Sequence, residues 1–107
     1  MSGPRMTFTT QLVLEAFLDD PQRELYGLEI CQAADLPSGT VHPILARFEG
    51  LGWLESRWED IDPRHEGRPQ RRYYRLTRDG VAEAGVALAR ARRPVARPSL
   101  RPVTSLS

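Results

Sequence analysis

The sequence predicts a mainly α-helical domain with one small β-hairpin, and three observations predict it. Apolar residues recur at helical spacing in three segments before residue 52, whereas residues 53–59 and 71–76 alternate with a period of two. A turn rich in punctuating residues, Asp35-Leu36-Pro37-Ser38-Gly39, separates the second helical segment from the third. The connection between the two alternating segments gathers arginine: residues 64–75 hold five, against the single acid Glu66.

The chain has 107 residues, enough for one domain with a small core. Its net charge of +1 conceals a division: residues 1–62 carry four arginines against eleven acids, and residues 63–107 eleven against three. The halves therefore stand at −7 and +8. A segregated basic half points to a polyanion partner. Every basic residue is arginine, whose planar fork suits phosphate and guanine better than a lysine point charge. No apolar run approaches the ~20 residues of a membrane span, and no secretory leader follows Met1, so no membrane role and a cytoplasmic setting are expected. Cys31, the sole cysteine, has no internal disulfide partner and reads as a small buried residue.

Residues 1–6 are expected to be a flexible N-terminus. The first helix spans residues 7–18, with Thr7 or Thr9 as N-cap, and Asp19-Asp20-Pro21 ends it. Leu12, Val13, Leu14, Ala16, Phe17 and Leu18 cover most of its circumference, which predicts burial on more than one side, the second against a partner subunit. A short helix over residues 24–34 should bury Tyr26 and Ile30 on one face. The third helix runs from about Thr40 to Leu51, burying Val41, Ile44, Leu45 and Phe48. Thr40 as N-cap puts Pro43 in the first turn, where a missing N–H leaves nothing unpaired; Ser38 as N-cap puts it deeper. The opposite face is made of Gly39, His42, Pro43, Ala46 and Gly50, with Arg47 and Glu49 at its flanks. Such small residues let a groove or another backbone come close.

Two strands follow, joined by the connection from Asp60 to Gln70, which reads as an extended, mobile tip. Tyr73 and Tyr74 must face opposite ways, and alternation does not say which faces inward. Arg57 and Arg75 are candidates for cross-strand ion pairs. Trp53 and Trp58 read as core or hairpin packing, with stacking on a planar effector as the alternative. Thr77 caps the last helix, in which Val81, Ala84, Leu88 and Ala91 form a narrow seam suited to packing on another helix. Residues 94–107, with prolines at 94, 98 and 102, are expected to be a disordered basic tail. No glycine-rich phosphate loop, metal-ligand spacing or paired nucleophile and base is present, so no enzyme, cofactor or metal site is expected; His42 and His65 are too differently placed to share a metal.

Helix, helix, turn, helix, arginine-rich hairpin, helix is the order of a winged helix-turn-helix, here over residues 7–93. In that architecture the helix after the turn enters the major groove and the wing meets the phosphates. The motifs also resemble those of PadR-like transcriptional regulators. Leu25-Tyr26-Gly27-Leu28-Glu29-Ile30 is similar to the family's segment before the turn. Gly39-Thr40-Val41-His42-Pro43-Ile44-Leu45-Ala46-Arg47-Phe48-Glu49 is similar to its recognition helix. Gly67-Arg68-Pro69, Arg72-Tyr73-Tyr74-Arg75-Leu76-Thr77 and Gly80 are similar to its wing and the start of its last helix. His42 and Leu28 stand where the family usually has tyrosine.

The resemblance, over roughly residues 8–92, implies a homodimeric repressor of the family's compact branch, bound to a pseudo-palindromic operator in double-stranded DNA. It also implies that small aromatic or cationic effectors bind between subunits, as in some members. The expected DNA contacts are Ser38, Gly39, Thr40, His42, Pro43 and Arg47 on the helix and Arg64, Arg68, Arg71 and Arg72 on the wing. The expected dimer interface joins Leu12, Leu14 and Phe17 to Val81, Ala84, Leu88 and Ala91. A winged helix that binds only protein, through its acidic front half, is the alternative.

Overall fold

A computed structural model describes residues 5–92. Five helices and three strands follow one another as α1 (Phe8–Leu18), β1 (Leu25–Tyr26), α2 (Gly27–Ala34), α3 (Ser38–Gly50), β2 (Leu54–Trp58), α4 (Pro63–Glu66), β3 (Arg72–Leu76) and α5 (Arg78–Ala91). The strands form one antiparallel sheet in the order β1-β3-β2. Mainly helical with a small sheet, this is a winged helix-turn-helix.

Thr7 caps α1 by accepting the Thr10 N–H at 3.3 Å, and Thr77 caps α5 by accepting the Gly80 N–H at 2.9 Å. Both are the expected side-chain caps for orphaned first-turn donors. Asp35 ends α2 in the left-handed region at φ 57°, and the Leu36 N–H closes the turn on the Cys31 carbonyl at 3.0 Å.

One core holds the elements together. Val13, Leu14 and Phe17 of α1, Ile30 of α2, Val41, Ile44, Leu45 and Phe48 of α3, Trp53, Leu54 and Leu76 of the sheet region and Ala84 of α5 are all buried in it. Phe48 and Trp53 stack with ring centroids 5.1 Å apart. This joins the exposed-faced α3 to the base of the hairpin, and it makes Trp53 a core residue.

The structure corrects several expectations. Residues 25 and 26 form β1, paired Leu25↔Tyr74 and Tyr26↔Tyr73, rather than the start of the second helix. A two-stranded hairpin is marginal in water, and this third strand makes β3 the inner strand of a three-stranded sheet. Helix α3 begins at Ser38 with Pro37 as N-cap, so Thr40 is not its cap and Pro43 lies in its interior. Proline has no N–H for the Gly39 carbonyl four residues back, and the cost is contained because both residues are on the exposed side. The wing connection is not merely extended: Asp62 caps the one-turn helix α4, and Gly67 ends it at φ 72°.

Leu14, Phe17 and Ala84, expected at a subunit interface, are sealed inside the protomer's own core at 0%, 1% and 0% exposure. Helix α5 lies on α1 of the same chain, which covers the side of α1 that the sequence assigned to a partner. Leu12, Val81 and Leu88 are half-buried and Ala91 is exposed. Met6 packs against the core, and its carbonyl accepts a hydrogen bond from Gln11 Nε2 at 3.0 Å. The tail expected over 94–107 lies outside the described residues.

Candidate nucleic-acid interface

Two surfaces converge beside α3. The first is the exposed face of the helix itself, where Ser38, Gly39, His42, Pro43, Ala46 and Arg47 are open to solvent and Thr40 is half-buried. Val41, Ile44, Leu45 and Phe48 anchor the other face in the core, so this outer face is held rigidly. The His42 ring lies beside Gly27, with Cε1 3.5 Å from where a Cβ on that glycine would stand. That is ordinary van der Waals distance, so the ring packs on the start of α2. The Arg47 guanidinium is turned back, with Nη2 donating to the buried Thr10 hydroxyl at 3.0 Å. Arg47 thus ties α3 to α1, a structural use that its place in the sequence does not signal.

The second surface is the wing, and here the sequence-predicted arginines part company. Arg64 is exposed on α4 and has no ion pair among the described residues. Arg68 presents both Nη atoms to the Glu59 carboxylate at 2.8 and 2.9 Å. Arg71 lies over the Tyr26 ring, 4.2 Å from its centroid, and Arg72 lies over Trp58 at 5.0 Å with Nη2 3.7 Å from Glu49. Arg75 pairs with Glu55 directly across β2, as the alternation suggested. Arg57 pairs with Glu24 on the segment before β1, which lies beyond the facing strand.

Sequence reasoning missed the acids Glu49 and Glu59. Glu49, in the last turn of α3, accepts a short hydrogen bond from the Ser56 hydroxyl as well as facing Arg72. It links the helix to the wing. Glu59 closes the base of the wing loop with side chain and backbone together. Besides Arg68, its Oε1 accepts the Arg71 N–H at 3.2 Å, its carbonyl accepts Gln70 Nε2 at 2.8 Å, and its own N–H donates to the Arg71 carbonyl at 2.8 Å. The only signal in sequence was the position of each acid opposite an arginine across an unknown register.

The Arg68 guanidinium, with the Arg71 N–H, holds the Glu59 carboxyl down at about 2, against an ordinary value of 4.5. A lowered carboxylate pKa stabilises the fold above the ordinary value, and that stability is lost as pH falls through the lowered one. The wing closure is therefore expected to persist down to about pH 4.5 and to be released on further acidification. The Arg71 amide resonance should stay constant to that point and then titrate with a midpoint near 2; a midpoint at the ordinary value would remove the Glu59–Arg68 clamp.

Groups of three or more His, Cys, Asp or Glu placed to hold a metal do not occur among the described residues. No helix among them is long and apolar enough to cross a membrane.

A helix with a slim exposed face, preceded by a tight turn and flanked by an arginine-bearing hairpin, defines the winged-helix class. Residues 16–85 match the model of the "Transcriptional regulator PadR-like family", and the chain belongs to that family. Among solved structures, it is similar to AbfR of Staphylococcus epidermidis, whose reduced form has been solved bound to DNA. That likeness has 25% identity and a TM-score of 0.61, over 83% of this chain and 60% of AbfR. A PadR family transcriptional regulator of Eggerthella lenta is 26% identical over 76% of this chain and 71% of that one, with a TM-score of 0.60. A PadR family regulator of Clostridium difficile, 22% identical, shares the fold with a TM-score of 0.62 over 80% of this chain and 88% of that one. The chain spans only 53–61% of the AbfR chains. No curated protein matches it significantly.

Proposed function

We propose that this protein is a regulator of transcription that binds double-stranded DNA sequence-specifically, acting as a repressor on a pseudo-palindromic operator. The observation that carries the reading is the exposed face of α3: Gly39, His42, Pro43 and Ala46 are small or slim and are held by a rigid core beside a basic wing. A major groove admits an α-helix, and small residues on its outer face let the helix approach the base edges closely. Membership of a family of transcriptional regulators and the DNA-bound state of AbfR support it.

In this reading Ser38, Gly39, Thr40, His42 and Pro43 meet the groove or its edge, and Arg64 at the tip of the wing reaches the phosphate backbone. The protein works as a homodimer, so that two α3 helices reach major grooves about one helical turn apart. Phe8 at 71% exposure and Val86 at 52%, on the same two helices as Leu12, Val81 and Leu88, supply apolar surface for that contact. A small aromatic or cationic effector between subunits would release the DNA.

Fluorescence anisotropy with the DNA upstream of its own gene and with a scrambled duplex, at two salt concentrations, tests the reading. Tight, salt-dependent binding with preference for the upstream DNA is expected, and sedimentation of the protein without DNA should give twice 12.1 kDa. No binding to either duplex at low salt would overturn it in favour of a protein-binding winged helix; a monomer would remove the palindrome. His42→Ala should weaken binding to the preferred duplex more than to the scrambled one, because base contacts specify and phosphate contacts only position. Equal losses on both would exclude His42 from base readout.

A further inference from the structure

The wing carries five arginines within residues 64–75, yet three of them are already paired with Glu59, Glu49 and Glu55 outside that segment. The Arg68–Glu59 pair is the most complete of these arrangements. Both Nη atoms of the guanidinium meet both carboxylate oxygens, at 2.8 and 2.9 Å, in the two-pronged geometry that Arg also uses on a phosphate. Nη1 further donates to the Pro69 carbonyl at 3.3 Å. The pair is enclosed, with side-chain exposures of 33% for Arg68 and 15% for Glu59, unlike the more open Arg75–Glu55 and Arg57–Glu24 pairs. The backbone around it is pinned as well, since the Arg68 N–H donates to the Pro63 carbonyl at 3.2 Å.

We infer that Glu59 is an intramolecular stand-in for a DNA phosphate: it occupies the Arg68 fork, so that Arg68 closes the wing and is withheld from the DNA backbone. Glu59 is thus a positioning residue that limits sequence-independent affinity, a role no motif of the sequence assigns to it. The inference rests on the DNA-binding reading above. Its physical content is a competition. A guanidinium whose fork is filled by a carboxylate makes a neutral unit and displaces no counterion from a phosphate, whereas a released one displaces about one. Arg64, exposed and without such a pair among the described residues, keeps its charge for the backbone.

Binding of a random duplex, measured from about 200 mM to about 50 mM salt, tests this on the full chain. Glu59→Gln is expected to steepen the log–log salt slope by about 0.9 and to gain roughly threefold more affinity than wild type over that interval. Arg68→Ala alone should leave the slope unchanged, because it removes no contact to a phosphate, although the uncovered Glu59 carboxylate lowers affinity. In the Arg68→Ala background, Glu59→Gln should also have no effect on the slope. Three results would each overturn the inference: a loss of about one slope unit in Arg68→Ala, no steepening in Glu59→Gln, or the same steepening with and without Arg68. Glutamine keeps an oxygen for the Arg71 N–H, and an amide spectrum matching wild type beyond the wing shows that the variant is folded. Wild-type protein that binds no duplex at low salt removes the DNA reading itself. Wild-type binding with any of the three contrary slopes removes only the role of Glu59.

Discussion

Gly80→Ala is expected to cost the fold about 3 kcal/mol or more, a large share of the stability of so small a domain. Gly80 sits in the first turn of α5, where the backbone of Trp53 presses directly on it. A Cβ added there would stand 2.0 Å from the Trp53 carbonyl oxygen and 2.8 Å from its carbon, distances that no real side chain tolerates. The neighbour has little freedom to yield. The same Trp53 carbonyl accepts the Thr77 N–H at 2.9 Å, the Thr77 hydroxyl donates to the Gly52 carbonyl at 2.7 Å, and the Trp53 ring is stacked on Phe48. Relief would require moving α5 away from the sheet and giving up the burial of Ala84. Overpacking a core usually costs about 1–3 kcal/mol, and a clash with fixed backbone lies at or above the top of that range. Small domains hold only ~5–15 kcal/mol in total. Urea unfolding followed by circular dichroism measures the effect; a midpoint within error of wild type would show that α5 does not rest on Trp53 as described.

Phe48→Ala is the second large effect, with a loss of about 3–5 kcal/mol expected. Phe48 is completely buried, stacked on Trp53 with the rings 16° from parallel, and it belongs to the helix whose other face is the proposed DNA surface. Its removal opens a cavity between α3 and the hairpin, so the two parts of the interface lose their fixed relation together. Denaturant unfolding monitored by tryptophan fluorescence should report the lost stability and, through Trp53, the altered environment in the native baseline. A change below about 1 kcal/mol would mean that the stack contributes little and that the sheet is held to α3 by other contacts. Folded Phe48→Ala protein with unaltered preference between duplexes would separate the core from recognition.

Much of the architecture was legible because it is written in short-range chemistry. Val41, Ile44, Leu45 and Phe48 repeat at the spacing of one helix face and are indeed the buried face of α3. Thr7 and Thr77 stand where orphaned N–H groups need an acceptor, and both serve as caps. The alternation of the two strands marked Arg75 as a candidate for a cross-strand ion pair, and the sheet register supplies Glu55 as its partner. The start of α3 was misread because capping preference favours threonine, whereas the cap is Pro37, three residues before Thr40. Strand β1 was invisible: two residues carry no period, and Leu25-Tyr26 becomes a strand only because β3 offers it a free edge.

The candidate site was half legible for the same reason. The slim face of α3 and the concentration of arginine in the wing are properties of composition and spacing, and they led to a polyanion partner and to the resemblance that the family match confirms. Which arginines keep their charge was not legible. That depends on Glu59, Glu49 and Tyr26 meeting Arg68, Arg72 and Arg71 across a sheet register and a loop closure. Likewise, alternation alone required Tyr73 and Tyr74 to part, but only the packing sent Tyr74 to the core and Tyr73 to the outer face beside Tyr26 and Arg57. The sequence by itself determined the order of the main helices and of the two wing strands, the buried face of α3 and the concentration of arginine in the wing, because these follow from composition and from neighbours within one turn or one strand. Tertiary structure alone decided that Leu14, Phe17 and Ala84 serve the protomer's own core, that Arg47 reaches back to Thr10, and that Glu59 holds Arg68. Each of those outcomes joins residues far apart in the chain, and pairings of that kind are set by how whole elements pack.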